Sequence, residues 1–157
     1  MKPAKLEVDM PGVAEVELVY RNKIRAADRP KVTCSEEAYK VFLDDWNKDH
    51  ISFFEEFKVM LLNQGNRVLG IFALSRGGLT STAVDPRLVY VAALRAAATS
   101  IIVAHNHPSG ELIPSQADQL LTNTLSNGCK LLEIKLLDHL IITPDRFFSF
   151  ATEGRLN

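Results

Sequence analysis

Two histidines and one carboxylate lie close together in the middle of the chain. His105 and His107 stand at the end of an apolar run, Thr99 to Ala104. If this run is a buried strand, side chains at positions i and i+2 point to the same side, so both imidazoles converge while Asn106 faces away. The pair therefore predicts two ligands of one metal ion.

Asp118 is the nearest candidate for a third ligand. A catalytic zinc usually takes three protein ligands and leaves the fourth position to water, and a carboxylate suits two neutral imidazoles. Ser115 predicts the start of a helix with Asp118 in its first turn. The segment from Pro108 to Gly110 lets that turn fold back over the strand end. We therefore expect Zn²⁺ to be held by His105, His107 and Asp118.

A water activated by zinc also needs a general base, commonly a glutamate that does not bind the metal. Glu55 and Glu56 precede the apolar run Phe57 to Leu62, and either would reach the site if that run lies beside the strand ending at His105. Ser115 would donate a hydrogen bond to the oxygen of an attacked carbonyl. The predicted chemistry is metal-assisted amide hydrolysis. A solvated surface pair and a helix cap remain the structural alternatives for these glutamates and for Ser115.

The remaining patterns predict strands and helices that would position these residues. Apolar, β-prone or alternating runs predict strands: Ala14 to Tyr20, Phe57 to Leu62, Arg67 to Leu74, Thr99 to Ala104, Leu131 to Leu137, Leu140 to Thr143 and Phe147 to Phe150. Helix signals are a capping-box spacing, an Asp-Pro start and a Gly stop. They predict three helices: Thr33 to about His50, Asp85 to Ala98, and Ser115 to Gly128.

This order of elements mixes hairpins with helical crossovers, which predicts an α/β protein with a mixed sheet flanked by helices. A chain of 157 residues that is 46% hydrophobic can build one domain with its own core. We expect that domain over residues 31–157, preceded by an N-terminal extension over residues 1–30 that contains one strand.

Composition excludes several other classes of protein. The formal charge of −1 gives no field that attracts a phosphate backbone. Cys34 and Cys129 form no Cys-x-x-Cys pair, so they indicate neither a thiolate zinc site nor a nucleoside deaminase, and we expect both to be buried. The N-terminus has no signal-like apolar stretch and no run approaches a membrane span. We expect a soluble cytoplasmic protein.

The spacing His-x-His, seven residues, Ser, two residues, Asp matches the JAMM motif of zinc metallopeptidases and isopeptidases in full. Three segments resemble the bacterial RadC-like branch of the JAB/MPN family: His105-Asn-His-Pro-Ser-Gly110, Pro114-Ser-Gln-Ala-Asp118 and Leu137-Asp-His-Leu-Ile141. The resemblance runs from about Pro30 to the C-terminus. It implies a JAB/MPN fold with a cytidine-deaminase-like three-layer arrangement.

The resemblance also implies roles for single residues. His105, His107 and Asp118 would bind zinc, Ser115 would assist the oxyanion, and the family's Glu-x-Phe strand entry points to Glu55 as the base. Glu56 is the second choice. A protein or peptide would be the substrate, and nucleic acid enters as a partner through the family's DNA-repair label. Residues 1–31 do not resemble the helix-hairpin-helix segment of full-length RadC proteins.

Two alternatives remain open at this point. The alternative to a zinc hydrolase is a binding module that recognises branched DNA or a protein partner without turnover. His139, between two predicted strands, is either a partner of a metal ligand or, as we expect, a structural turn residue.

Overall fold

The computed structural model describes residues 12–78 and 82–157, so part of the predicted N-terminal extension lies outside the described residues. A single mixed sheet has the strand order β2-β1-β3-β4-β5. Its elements follow one another along the chain: α1 (Ser35–Asp45), β1 (Glu56–Leu62), β2 (Val68–Arg76), α2 (Pro86–Arg95), β3 (Ser100–Asn106), α3 (Gln116–Leu131), β4 (Lys135–Ile142) and β5 (Phe147–Ser149).

The two central strands, β1 and β3, are buried at every position. Most of their residues are apolar on both faces, as expected for strands covered on both sides. β3 and β4 are parallel and joined through α3, whereas β1–β2, β1–β3 and β4–β5 are antiparallel. The carboxyl end of β3 therefore leads directly into the loop before α3. This connection brings residues 105–107 near the first turn of that helix.

Helices cover both faces of the sheet. On one face, Phe42 of α1 and Trp46 at its C-cap pack with Met60 and Ile102 of the sheet. On the other face, a separate apolar cluster joins α2 and α3 to Val59, Leu61, Ile101 and Val103. The result is the predicted three-layer α/β arrangement. Across the described ranges, no helix combines the length and the apolar character that crossing a membrane requires.

The predicted strand at Ala14 to Tyr20 is wrong: within residues 12–30 the described structure has only a short 3₁₀ helix, Ala26–Asp28. Val16 and Leu18 are 86% and 85% exposed. The alternation of apolar residues requires a neighbouring strand to bury one face, and none pairs with this segment in the described part of the chain. Tyr20 alone is tied to the sheet, by donating to the Leu69 carbonyl at 2.7 Å.

Helix α1 differs from the prediction at both ends. The capping-box spacing predicts Glu36 as the partner of Thr33, but Glu37 accepts from the Thr33 amide, at 2.6 Å. The N-cap is Cys34. Cys34 is exposed, contrary to expectation, while Cys129 is buried as predicted. The helix ends at Asp45 rather than near His50.

Helix α3 continues past Gly128, so the predicted glycine cap is wrong. Gly128 lies inside the helix. A larger residue would not fit at this position, because the Tyr90 side chain, on α2, fills the space that a Cβ would occupy. Tyr90 also donates to the Thr124 carbonyl at 3.0 Å. The glycine therefore allows α2 and α3 to approach closely.

Two predicted strands, Leu131 to Leu137 and Leu140 to Thr143, are one strand, β4. Leu131 instead ends α3. The polar pair Asp138-His139 appeared to interrupt the apolar pattern, yet both residues are buried within the strand. Their polar atoms are hydrogen-bonded there, which removes the cost of burying them.

Candidate metal centre

The carboxyl end of β3 positions the two histidines as predicted. His105 is 2% exposed and lies on the sheet face that packs against α2 and α3. The His107 amide donates to the Ile142 carbonyl at 3.2 Å, which extends the strand geometry by one residue. The two side chains therefore share one face, and their Nε2 atoms lie 3.0 Å apart.

The first turn of α3 brings Asp118 to the same point. Ser115 is the N-cap and Asp118 is residue N3, and the two form a reciprocal capping box. The Ser115 amide donates to Asp118 Oδ2 at 2.8 Å, and the Asp118 amide donates to Ser115 Oγ at 3.1 Å. Because the cap fixes the carboxylate, Oδ1 lies 3.3 Å from His105 Nε2 and Oδ2 lies 3.7 Å from His107 Nε2.

These three side chains fit a zinc ion in both chemistry and spacing. Their ligand atoms lie within 4.8 Å of one another, and they form the one such convergent group found among residues 12–78 and 82–157. Bonds of about 2.0 Å to a tetrahedral zinc place neighbouring ligand atoms about 3.3 Å apart. The observed separations are close to that value, so little movement of the side chains is needed.

Electrostatics also prepare the group for a cation. Burial by itself would raise the pKa of Asp118, but its contacts with the His105 and His107 imidazoles outweigh burial and hold it far below the usual range. Burial would likewise lower the pKa of His107, but hydrogen bonds to Asp118 and the Glu111 carbonyl raise it overall. Asp118 is therefore an anion, which suits it to a cation-binding group.

Glu55 and Glu56 lie on opposite sides of the sheet. Burial raises the pKa of Glu55, while the nearby His105 and His107 partly lower it, so its carboxyl lies on the same side as these two imidazoles. Glu56 points away: its Oε1 lies 3.6 Å from His50 Nδ1 and 3.8 Å from an Arg76 nitrogen. The structure therefore brings Glu55, and not Glu56, to the side of the three ligands.

Asn106 connects the histidines to the segment that carries Glu55. It is fully buried on the opposite face and uses its whole amide: Nδ2 donates to the Ile51 and Phe54 carbonyls, both at 2.7 Å. Its Oδ1 accepts from the Glu56 amide at 2.7 Å. The alternation that turns the histidines toward the candidate site therefore turns Asn106 toward the loop that carries Glu55.

The expected turn role of His139 is wrong. It is fully buried in β4 opposite Val103, and its Nε2 lies 2.8 Å from His105 Nδ1. Its Nδ1 lies 2.7 Å from Thr122 Oγ1. Burial, with His105 as the next cause, holds the pKa of His139 well below the usual value. Thr122 carried no signal in the sequence beyond its place one turn after Asp118.

Comparison with known proteins agrees with this arrangement. Residues 32–155 match the family model of the RadC-like JAB domain. A UPF0758 protein of Flavobacterium johnsoniae is 49% identical over 100 residues, covering 64% of this chain and 44% of that protein. A UPF0758 protein of Porphyromonas gingivalis is 42% identical over 132 residues, covering 82% of this chain and 56% of that protein. The chain thus spans about half the length of these curated relatives.

Proposed function

The chain belongs to the RadC-like JAB domain family, and from this premise we propose that it is a zinc-dependent hydrolase of the JAMM metallopeptidase type. Its substrate would be an amide or isopeptide bond of a protein or peptide. The observation that carries the proposal is the convergence of His105, His107 and Asp118 at one point, with Glu55 on the same side. Two neutral imidazoles and one carboxylate leave a fourth position of zinc open.

His105, His107 and Asp118 would hold the ion. When bound, zinc supplies a Lewis acid that polarises a carbonyl group and lowers the pKa of water. The capping box holds Asp118 in place before any metal arrives, because its carboxylate already accepts from the Ser115 amide. The site is therefore largely preorganised by the helix start.

Glu55 is suited to move the proton. Burial raises the pKa of its carboxyl, which brings a group that is ordinarily a weak base closer to the pH at which it works. In the proposed reaction, Glu55 accepts a proton from the attacking water and passes it to the departing amine. Its position beside the ligands, without a direct role in holding the ion, fits that role.

Ser115 is suited to stabilise the carbonyl oxygen. Its Oγ accepts from the Asp118 amide, and its hydroxyl proton has no acceptor in the described hydrogen bonds. Ser115 is exposed at the N-terminus of α3, where a substrate can reach it. A hydrogen bond from this hydroxyl to the developing oxyanion would lower the barrier.

The first test is metal content. We expect about one zinc per purified chain, as for a single three-ligand catalytic site. His105→Ala and Asp118→Asn should lose the metal. Asparagine at 118 keeps an oxygen that can accept from the Ser115 amide, so its effect reports on the ligand and not on the helix cap. A wild-type protein that takes up no zinc overturns the proposal.

The second test is turnover. The zinc-loaded protein is assayed against a panel of peptides and lysine isopeptides, with a chelator and Asp118→Asn as controls. Hydrolysis that both controls abolish supports the proposal. If a zinc-loaded sample cleaves nothing in the panel but binds branched DNA or a protein partner tightly, the protein is a binding module instead.

A further inference from the structure

A chain of hydrogen bonds runs from the metal centre into the protein interior. His105 Nδ1 contacts His139 Nε2 at 2.8 Å, and His139 Nδ1 contacts Thr122 Oγ1 at 2.7 Å. The Thr122 hydroxyl in turn donates to the Asp118 carbonyl at 2.7 Å. The chain thus begins at one predicted ligand and ends on the backbone of another.

The last link determines the position of each proton. A hydroxyl has one proton, and Thr122 gives it to a carbonyl that can only accept, so Thr122 Oγ1 accepts from His139 Nδ1–H. A neutral His139 then has its lone pair on Nε2, which accepts from His105 Nδ1–H. A neutral His105 consequently has its lone pair on Nε2. This is the atom that faces His107 and Asp118.

We propose that His139 and Thr122 are positioning residues that hold His105 in the tautomer that binds zinc. This inference rests on the zinc site of the proposed function and extends it to two residues that touch no metal. A hydrogen bond to the ring nitrogen that does not bind the metal fixes both the tautomer and the ring orientation of a histidine ligand.

The surroundings of the two residues suit this role. His139 and Thr122 are both fully buried, so water does not compete for their hydrogen bonds. The His139 ring is stacked on Phe150, with centroids 4.6 Å apart and an interplanar angle of 10°. Phe57 meets the same ring edge-on at 5.9 Å. The ring therefore cannot turn to offer a different nitrogen without disturbing the core.

If the donors and acceptors along these hydrogen bonds exchanged roles, His105 could no longer bind zinc through Nε2. If Thr122 donated to His139 instead, His139 Nε2 would carry the proton and donate to His105 Nδ1. His105 would then be protonated on Nε2 and could not bind a metal. The Thr122→Val variant should favour this reversed state, because it leaves His139 Nδ1–H without its acceptor.

Thr122→Val and Thr122→Ser form a matched pair for the test. Valine keeps the shape of the side chain without the hydroxyl, and serine keeps the hydroxyl. Zinc dissociation constants are measured by competition with a chelator. We expect Thr122→Val to weaken zinc binding by about 10- to 100-fold, and Thr122→Ser to stay within about threefold of wild type.

A spectroscopic measurement needs no variant. Long-range ¹H–¹⁵N spectra of the zinc-loaded wild type should show His105 and His139 both protonated on Nδ1. Thermal unfolding of both metal-free variants checks that they are folded. If Thr122→Val does not fold, the wild-type spectrum decides the question alone.

The outcomes separate the two proposals. A wild type that binds zinc, together with a folded Thr122→Val of unchanged affinity, overturns this inference and leaves the proposed function standing. A zinc-loaded wild type in which His139 has its proton on Nε2 does the same. A wild type that binds no zinc overturns both.

Discussion

At the scale of single residues, the chemistry depends on which side of a strand each side chain takes. Glu55 and Glu56 are neighbours in sequence, but Glu55 lies with the three candidate metal ligands and Glu56 lies between His50 and Arg76. Successive side chains of a strand point to opposite faces, so the entry into β1 separates the two carboxylates. They therefore provide a natural pair for comparison.

Glu55→Gln should lower the hydrolysis rate by about 10²- to 10⁴-fold, the usual contribution of a general base. Zinc content should remain unchanged, because Glu55 is not one of the three ligands. Glu56→Gln is the matched control and should retain the activity of the wild type. Steady-state rates and metal analysis of the three proteins check this. Equal losses in both variants would contradict the assignment.

The raised pKa of His107 predicts how zinc affinity depends on pH. Zinc binds the neutral imidazole and competes with its proton. Because Asp118 and the Glu111 carbonyl raise this pKa above 6.5, affinity should begin to fall while the pH is still above that value. Below the raised pKa we expect about tenfold weaker binding per pH unit for each proton displaced. Asp118 stays ionised throughout, because its pKa is lowered.

Calorimetric zinc titrations between about pH 5.5 and 8 measure this dependence. Glu55 is among the charges that raise the pKa of His107. Glu55→Gln should therefore move the decline in affinity to lower pH. An affinity that does not change over this range would show that no proton is displaced.

At the scale of elements, the site is the meeting of a strand end, a helix start and a loop. β3 supplies the histidines, the first turn of α3 supplies Asp118, and the segment before β1 supplies Glu55. Asn106 joins the first of these to the third through three hydrogen bonds. This buried amide thus helps to fix the position of the Glu55 segment relative to the two histidines.

Asn106→Ala would leave the Ile51 and Phe54 carbonyls and the Glu56 amide without this partner. Buried polar groups that lose their partners cost about 1–3 kcal/mol each, so for three groups we expect a loss of at least roughly 3 kcal/mol in the free energy of unfolding. Urea denaturation measures it. Ser109→Ala, which removes only a 3.3 Å bond in an exposed loop, should change stability by less than about 0.5 kcal/mol. Equal stabilities of the two variants would contradict the role of Asn106.

At the scale of the whole molecule, we expect the fold to form without a metal ion. Two separate apolar clusters, one on each face of the sheet, bury β1 and β3 completely. The three candidate metal ligands, at the end of β3 and the start of α3, are outside these clusters. Zinc should therefore add stability to a domain that is already folded.

Removal of zinc by a chelator should lower the melting temperature without unfolding the protein at room temperature. Free zinc at about 100 times its dissociation constant should stabilise the native state by about 2.7 kcal/mol. For a chain of this size, that is a rise of roughly 5–10 °C in Tm. Scanning calorimetry with and without chelator measures the shift. Asp118→Asn should show none, and a chelated wild type that is unfolded at room temperature would contradict the independence of the fold.

The sequence by itself determined the features that depend on local geometry. His105 and His107 share a face because they are two residues apart at a strand end, and Asp118 is held by a cap three residues away. The hairpin of β1 and β2, the Asp85 cap of α2 and the buried strand β3 follow from equally short patterns. In each case, the interacting residues lie within a few positions of one another or on adjacent strands.

Only the tertiary structure decided the rest, because the deciding partners are distant in sequence. His139 meets His105 across the parallel pairing of β3 and β4, 34 residues apart, and no local pattern reports such a register. Gly128 is required inside α3 because Tyr90, on another helix, occupies the space of a Cβ. The same holds for the glutamates: which one faces the ligands depends on how β1 enters the sheet beside β3, and that pairing exists only in the folded chain.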